Sequence, residues 1–281
     1  MISISDMFIM CPPVYFDVIH YGLNPYMKKG TVIDKEKAMN QWLYLYNMLQ
    51  SFNVKIHLIE PVKNLPDMVF SANCGCIMGD VFYPTNFKDL PRRGEVSHYT
   101  NYIRKMGYKI KRIDGYFEGQ GDVVFSNNRK KVWIGYNQRT NLKGANDFKN
   151  KLIGNYNDIE VITLKLIDPF FYHLDTCMRV FGEDYVIYYP GAFDEKSRTK
   201  ILAGFKKSNI ITATRKEALE FCCNSIDIPH SDRNCNGILI ANKLSDRLKN
   251  VLESKKVMYA ECPMTEFMLG GGSVKCCIFE I

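Results

Sequence analysis

The residues of this chain that could do chemistry are a thiol, an imidazole and several carboxylates, each in a short polar stretch between apolar runs. Cys276 follows three glycines in "GGGSVKC", with Cys277 beside it. His173 and Asp175 belong to "HLD", Glu118 and Asp122 to "FEGQGD", Asp67 and Asn73 to "PDMVFSAN", and Asn24 to "YGLNPYM". A thiol attacks as its thiolate, which needs a positive group or a helix terminus nearby, and covalent catalysis by a thiol needs an acid or base within reach. The chain closes on the apolar "VKCCIFEI", although a C-terminal tail is usually frayed and expendable. Either of the two adjacent cysteines is therefore a candidate nucleophile.

Groups this far apart in sequence meet only if the fold gathers them, and the chain carries a repeat able to do so. Four segments read as two short strands about a polar turn: "FSANCGCIMGDVFYP" from Phe70, "GDVVFSNNRKKVWIGY" from Gly121, "LDTCMRVFGEDYVIYYP" from Leu174 and "NSIDIPHSDRNCNGILIAN" from Asn224. Their turns carry "GD", "NN", "GED" and "NCNG", which are hairpin residues. The segments start about 50 residues apart, close to the unit length of known repeat folds. Between them come a helical pattern and one more strand, as in residues 35–52 followed by "VKIHLIEP", or "EVSHYTNYIRKMGY" followed by "KIKRID". "EKSRTKILAGFKK" and "SDRLKNVLES" repeat the helix, and "KVMYAEC" the strand after it.

Each unit thus reads strand, strand, helix, strand. A fifth unit requires the N-terminal strand "FIMCPP" to pair with the C-terminal strand "VKCCIFEI", which ties down both ends and removes a sheet edge. The even spacing favours such a closed ring over an ordinary open α/β sheet. No linker or low-complexity stretch divides the chain, so residues 1–281 are expected to form a single catalytic domain. Loops of like units converge on the axis of a ring, and the polar residues at equivalent points are expected to meet there.

Composition narrows the partners. The 281 residues are 46% hydrophobic and 24% charged, as in a globular protein, and no apolar run reaches the roughly 18 residues of a membrane helix. "MISISDMFIMCPP" lacks a basic n-region and a small-residue cleavage site and reads as a first strand rather than a signal peptide. The net charge of +7 is spread among interleaved acids, with no basic stripe and no RNA-binding aromatic motif. Neither nucleic acid nor membrane is an expected partner, whereas a small anionic substrate is compatible. The ten cysteines are expected to be reduced, in a cytoplasmic setting. "CGC" and the two "CC" pairs do not supply the spaced ligand pairs of a structural zinc site, so no metal is expected.

"PDMVFSAN", "FEGQGD", "HLDTC" and "GGGSVKC", in this order and at unit spacing, resemble the motifs of the guanidine-modifying superfamily of arginine deiminases, dimethylarginine dimethylaminohydrolases and amidinotransferases. The resemblance covers essentially the whole chain. It implies a five-unit pseudo-symmetric α/β propeller, the pentein fold, in agreement with the repeat. It also implies Cys276 as nucleophile, His173 as general acid and base, Glu118 as the group that orients His173, and Asp175 as a contact of the substrate guanidinium. A guanidinium brings its own positive charge to the thiol and needs carboxylates for its planar fork of donors. A histidine then protonates the departing amine and activates water. The glycines at 270–272 are expected to let the backbone approach the substrate. On strand alternation Cys277 faces the other way and belongs to the core. No organic cofactor is implied. Small rings of this kind often pair, so a homo-oligomer is left open.

The far end of the substrate is implied in the same way. Arg92 in "LPRRGE" and Arg139 in "IGYNQRTN" match positions that hold the substrate carboxylate, which points to free arginine or a close derivative. Arginine deiminases carry an added helical bundle for which this chain has no room, and an aspartate at the place of Asn73. An asparagine offers both a donor and an acceptor and suits a neutral urea such as citrulline. "YGLNPYM" and "VFSANCG" resemble the arginine dihydrolases, with Asn24, Asn73, Glu118 and Asp122 on matching positions and Leu23 and Phe70 counted among the substrate contacts. Two successive hydrolyses to ornithine, carbon dioxide and two ammonia are then expected. Dimethylarginine dimethylaminohydrolase and a compact deiminase, both giving citrulline, remain the alternatives. A transferase would need an acceptor pocket that the sequence does not show, and a ring-shaped binding module without chemistry would lack the thiol and the histidine. Gln120 and Cys74 depart from the usual small residues at their positions and are expected to bear on the pocket.

Overall fold

The computed structural model describes residues 7–20, 23–182, 184–229 and 235–281. Residues 1–6 of the expected first strand, Tyr21 and Gly22 of "YGLNPYM", Glu183 of the "GED" turn and Asn234 of the "NCNG" turn lie outside the described residues. In chain order the elements are β1 (Met7–Met10), α1 (Lys35–Ser51) and β2 (Lys55–Leu58); β3 (Gly75–Met78), β4 (Val81–Pro84), α2 (Glu95–Lys105) and β5 (Lys109–Ile110); then β6 (Val123–Ser126), β7 (Lys131–Tyr136), α3 (Leu142–Ile153) and β8 (Glu160–Lys165). There follow β9 (Met178–Phe181), β10 (Tyr185–Tyr188), α4 (Glu195–Gly204), β11 (Ile210–Thr212) and α5 (Arg215–Leu219); and finally β12 (Ile226–Ile228), β13 (Ile238–Ala241), α6 (Asp246–Ser254), β14 (Met258–Glu261), α7 (Thr265–Leu269) and β15 (Phe279–Glu280).

The strands make five three-stranded sheets, so the fold is mixed α/β. In four of them an antiparallel hairpin is followed by a helix that crosses to a third strand parallel to the second. The fifth is assembled from the two ends of the chain. β15 runs antiparallel to β1 with Phe279 opposite Ile9, and β1 runs parallel to β2. Among the described residues no ladder joins one sheet to the next, so there is no closed sheet.

Local chemistry accounts for the units. α1 buries Ala38, Trp42, Leu45 and Leu49, a single stripe at helical spacing, and Asp34 caps it by accepting from the Lys37 N–H. Asn141, Asp194 and Ser245 cap α3, α4 and α6 in the same way. The turn between β6 and β7 spans residues 127–130, and in it Asn127 (φ 48°), Asn128 (φ 52°) and Arg129 (φ 64°) are left-handed, a conformation asparagine tolerates better than most residues.

The apolar faces pack between successive units. Ile9 shares a cluster with Ile77 and Phe82, Tyr83 with Ile134 and Phe148, Trp133 with Val180 and Ile201, Ile187 with Leu239 and Leu248, and Ile226 and Ile240 with Phe8 and Trp42. The order of contact therefore runs from the first sheet to the fifth and back to the first.

Three expectations need correction. The strand "KIKRID" is only Lys109–Ile110, and α2 stops before Gly107, whose φ of 97° ends the helix. The helices α5 and α7 are additions. "VKCCIFEI" is a strand only at Phe279–Glu280, while Lys275–Cys277 form a tight turn. The Lys275 and Cys276 N–H groups bond Asn224, through its carbonyl and its side chain, and Ile278 N–H returns to Lys275, so none is free for a ladder. Strand alternation therefore does not separate the two cysteines. Cys277 is nonetheless buried among core side chains.

Candidate active site

Most of the candidate residues stand in a short turn just before the first strand of a sheet. Asn73 lies in the turn Ser71–Cys74 before β3, Gly119–Gly121 before β6 is flanked by Glu118 and Asp122, Leu174–Thr176 before β9 carries Asp175 next to His173, and Lys275–Cys277 before β15 carries Cys276. Backbone in a turn has no ladder of its own to fill, so side chains and carbonyls here are free to bond across units.

His173 Nε2 lies 2.7 Å from Glu118 Oε2. The carboxylate can only accept, so Nε2 carries the proton and Nδ1, which has no hydrogen-bond partner, is left for proton transfer. Burial alone would raise the Glu118 carboxyl, but Arg139 and the His173 ring bring it down to about 2. Arg139 Nη1 is 3.4 Å from Glu118 Oε2, and its guanidinium sits 4.9 Å from the centre of the Tyr172 ring.

Asp122 is fully buried behind the histidine. Oδ1 accepts from Leu174 N–H at 3.1 Å and Oδ2 from Thr140 N–H at 3.2 Å. Burial pushes its carboxyl up to about 6. Gly121 makes room for this packing, because a Cβ there would lie 2.2 Å from Asn73 Nδ2 and 3.2 Å from His173 Cγ.

The thiol has its own set of contacts. Cys276 Sγ is 3.5 Å from Asp175 Oδ2 and 3.1 Å from Asn224 Nδ2. Burial, and after it the charge of Asp175, push the thiol well above its usual value. Burial likewise raises the Asp175 carboxyl, to about 7, against the pull of the Lys275 ammonium. In the protein alone the pair is thus a thiol beside a carboxyl that titrates near neutrality, and a cation entering between them favours both anions.

Asn24, Phe70, Asn73, Arg92, Arg139 and Cys276 line one cleft, closed down to about 10 Å³. Asn24 donates to the Gly270 carbonyl at 2.9 Å and faces the Tyr172 hydroxyl at 3.3 Å, and that hydroxyl donates to the Gly271 carbonyl at 2.6 Å. The glycine run thus packs against the side chains of the cleft. At Gly271 (φ 79°) a Cβ would stand 2.6 Å from Asn24 Oδ1. Arg92 bonds Glu95 through Nε and Nη2, at 2.8 and 2.9 Å, and donates from Nη1 to Asn73 Oδ1 at 3.0 Å. Leu23 is exposed and does not line the cleft; nor do Glu118, Asp122, His173 and Asp175, of which Asp175 meets it through Cys276, and Glu118, with His173, meets it through Arg139.

Gln120 and Cys74 lie outside the cleft as well. Gln120 is bonded to Lys275 Nζ and to the backbone of Glu280, and Cys74 packs in the core with Ile9, Met68 and Phe82. Two larger clefts, of about 690 and 680 Å³, lie elsewhere, and Cys276 lines neither.

Asn224 is the residue that the motifs pass over. It opens the fourth hairpin segment two residues before β12, as Asn73 stands two residues before β3, and that equivalence in the repeat is the signal that could have marked it.

A buried thiol, an imidazole bonded to a carboxylate and a second carboxylate, carried on the turns of repeated hairpins, make up a candidate site for covalent catalysis on an α/β scaffold. The chain belongs to the family described as "N,N dimethylarginine dimethylhydrolase, eukaryotic", whose model matches residues 23–281. It is 34% identical over 278 residues, 98% of its length, to the bifunctional arginine dihydrolase/ornithine cyclodeaminase AgrE of Nostoc sp., and spans 37% of that longer protein. To the N(G),N(G)-dimethylarginine dimethylaminohydrolase of Mycobacterium tuberculosis it is 30% identical over 285 residues, covering 98% of this chain and 85% of that one. The crystal structure of the N-terminal domain of ArgZ, a cyanobacterial arginine dihydrolase, in a cysteine-to-serine mutant bound to substrate, superposes with a TM-score of 0.88 at 32% identity, covering 98% and 97% of the two chains.

Proposed function

We propose that this chain is a cysteine-dependent hydrolase of the guanidino group of free arginine, and that it is an arginine dihydrolase. The observation that carries the second step is Asn73, an uncharged amide in the cleft with Cys276, its carbonyl oxygen held by Arg92 and its amide 3.5 Å from the Glu118 carbonyl. With Asn24 on the same cleft it offers a neutral urea donors and acceptors, where a carboxylate would offer only acceptors. The AgrE and ArgZ relatives favour the same reading.

Arginine enters as a cation, Asp175 takes one edge of the guanidinium, and the Cys276 proton passes through water to His173 Nδ1, which makes the ring the acid for the next step. The thiolate attacks the guanidinium carbon, and ammonia departs with a proton from His173, leaving an S-linked thiouronium. Water, deprotonated by His173, displaces the thiol and gives citrulline. In the second round Cys276 attacks the urea carbon, a second ammonia leaves, and hydrolysis of the thiocarbamate gives a carbamic acid that loses carbon dioxide to form ornithine. The sum is arginine plus two waters to ornithine, carbon dioxide and two ammonia. Glu118 holds the ring and tautomer of His173, and Asp122 fixes the backbone on which His173 stands. Arg139, whose Nε has no hydrogen-bond partner, is the better placed of the two arginines for the substrate carboxylate, while Arg92 orders Asn73.

The five units form one catalytic domain, arranged as a five-unit propeller. The cyclic order of the apolar clusters and the β1–β15 pairing support this. No helix among the described residues is long and apolar enough to cross a membrane, and all ten cysteines are free, in keeping with a cytoplasmic enzyme whose partner is its small substrate.

The description of the family favours a second reading, hydrolysis of dimethylarginine to citrulline and an alkylamine by the same groups. Incubation with L-arginine and with dimethylarginine, measuring ornithine, citrulline and ammonia together, separates the two. Ornithine with two ammonia per arginine supports the dihydrolase. Citrulline with one ammonia means a compact deiminase, and turnover of dimethylarginine alone means the second reading.

A further inference from the structure

We propose that Asn224 is a further catalytic residue, whose amide N–H donates to the Cys276 sulphur and stabilises the thiolate through both attacks. The proposal rests on Cys276 being the nucleophile, and it reaches beyond the residues that the motifs single out.

The geometry fixes which way the amide faces. Asn224 is fully buried, and the Cys276 N–H lies 3.2 Å from Oδ1. A backbone N–H can only donate, so the atom it meets is the carbonyl oxygen and the NH2 group must point the other way. On that side stand two acceptors. One is the Asp175 carbonyl at 3.4 Å and the other is the sulphur at 3.1 Å. One amide hydrogen goes to each. The contact to sulphur is as short as an ordinary N–H···O bond, a separation that favours an anionic acceptor.

The surroundings explain why the sulphur needs such a donor. Burial and the Asp175 carboxylate both disfavour the thiolate. The charged groups around it are Asp175 and Lys275, with Asp67, Asp89, Arg92 and Arg139 on the same cleft and Arg179 beyond Asp175, and the Tyr26 and Tyr172 hydroxyls face it as well. The Lys275 ammonium is occupied by Gln120 Oε1 and the Ile278 carbonyl, each at 2.9 Å. Asn224 donates to the sulphur from its side chain, and the Ser273 backbone favours the thiolate beside it. It also anchors the turn, since its own carbonyl accepts from Lys275 N–H.

The chain accepts a cost to bring it there. Phe221, three residues before, has φ 61° and turns the backbone from α5 towards the site. A bulky residue in the left-handed region is strained, and such strain is retained where the neighbouring structure holds it. The role is then a simple ionisation. The thiol proton passes through water to His173 Nδ1 as the guanidinium cation arrives, and the sulphur keeps the electron pair and accepts from Nδ2 until it bonds carbon.

The test is the pH dependence of Cys276 alkylation by iodoacetamide between pH 7 and 10, without arginine, with the labelled cysteine identified by peptide mass spectrometry. Replacing Asn224→Ala is expected to slow Cys276 labelling about 10- to 100-fold throughout the window, the worth of a hydrogen bond to a charged group, with the other nine cysteines unchanged. Asn224→Asp keeps the size and the Oδ1 acceptor, and its carboxylate is expected to slow labelling further. Labelling of Cys276 at the wild-type rate or faster in both variants overturns the proposal, whether or not the other cysteines change. The labelling rate is independent of the arginine product assay, so the role of Asn224 is tested even in a protein that releases no ornithine.

Discussion

Asp175 and Cys276 stand 3.5 Å apart, carboxylate oxygen to sulphur, although 101 residues separate them in the chain. Both are nearly inaccessible, and both are pushed towards their neutral forms by burial. Charge is restored to the pair most favourably by a cation, which is what a guanidinium supplies.

This predicts a pH-dependent affinity. With Asp175 titrating near 7, the free protein carries the neutral carboxyl below that pH and the carboxylate above it. Arginine binding to Cys276→Ser is expected to tighten about ten-fold between pH 6 and pH 8, as the ionised fraction rises. Isothermal titration calorimetry at the two pH values reads it directly, and equal affinities would remove Asp175 from the guanidinium contact.

The same carboxyl affects stability with a definite sign. Its folded pKa is raised above the unfolded value near 3.8, so its contribution is fully present below pH 4 and is lost as pH rises through 7. Asp175→Asn is expected to remove a loss on the order of a few kcal/mol across that window. Urea unfolding midpoints at pH 4.5 and 7.5 measure the change, which should shrink in the variant.

Glu118 behaves oppositely. Its folded pKa is lowered to about 2, so the stability it contributes is present above pH 4.5 and is lost as pH falls towards 2. Glu118→Gln is expected to destabilise the protein near pH 6 and much less near pH 2, and to lower kcat about 100- to 10,000-fold by releasing the His173 ring. Unfolding curves at both pH values and steady-state ammonia release check the two effects. A kcat within a few-fold of wild type would remove Glu118 from the catalytic set.

In the proposed dihydrolase, Asn73 is expected to matter for the second hydrolysis more than for the first. Asn73→Ala is expected to retain ammonia release from arginine but to pass citrulline into solution, raising the ratio of citrulline to ornithine at least about ten-fold, the weight of one or two hydrogen bonds to a buried urea. Chromatography of the products after a single incubation decides it. An unchanged ratio would transfer the second step to other residues.

Gly271 tests the packing of the cleft. Gly271→Ala places a Cβ 2.6 Å from Asn24 Oδ1 on a backbone with φ 79°. A loss of about 1–3 kcal/mol in stability, together with a raised KM, is expected. Wild-type KM with intact stability would show that the loop can move aside without cost.

Much of this is legible in the sequence. Hairpins and crossover helices announce themselves locally, through turn residues such as Asn127 and Asn128 and through stripes such as Ala38, Trp42, Leu45 and Leu49, because a turn type and an amphipathic face are properties of a few neighbouring residues. Their even recurrence points to five units and to the pairing of the chain ends that β1 and β15 make. Placing the groups with chemistry at equivalent points of the units is enough to bring Cys276, Asp175, His173 and Glu118 together as candidates.

The rest depends on contacts between distant segments. "VKCCIFEI" has the pattern of a strand, yet Asn224 captures two of its N–H groups and bends it into a turn, and no local propensity reports a hydrogen bond to a residue some fifty positions away. Asp122 matches a position expected to meet substrate, and the fold uses both its oxygens on backbone. Leu23 faces solvent, and Gln120 and Cys74 lie outside the cleft they were expected to shape. Asn224 has a place in the repeat but no motif around it, and its role shows in its amide against the sulphur. The units and the inventory of reactive groups are legible in the chain alone, since both are written in short-range patterns. The tertiary structure alone decided which atoms face each other, because hydrogen bonding and burial are settled by neighbours in space.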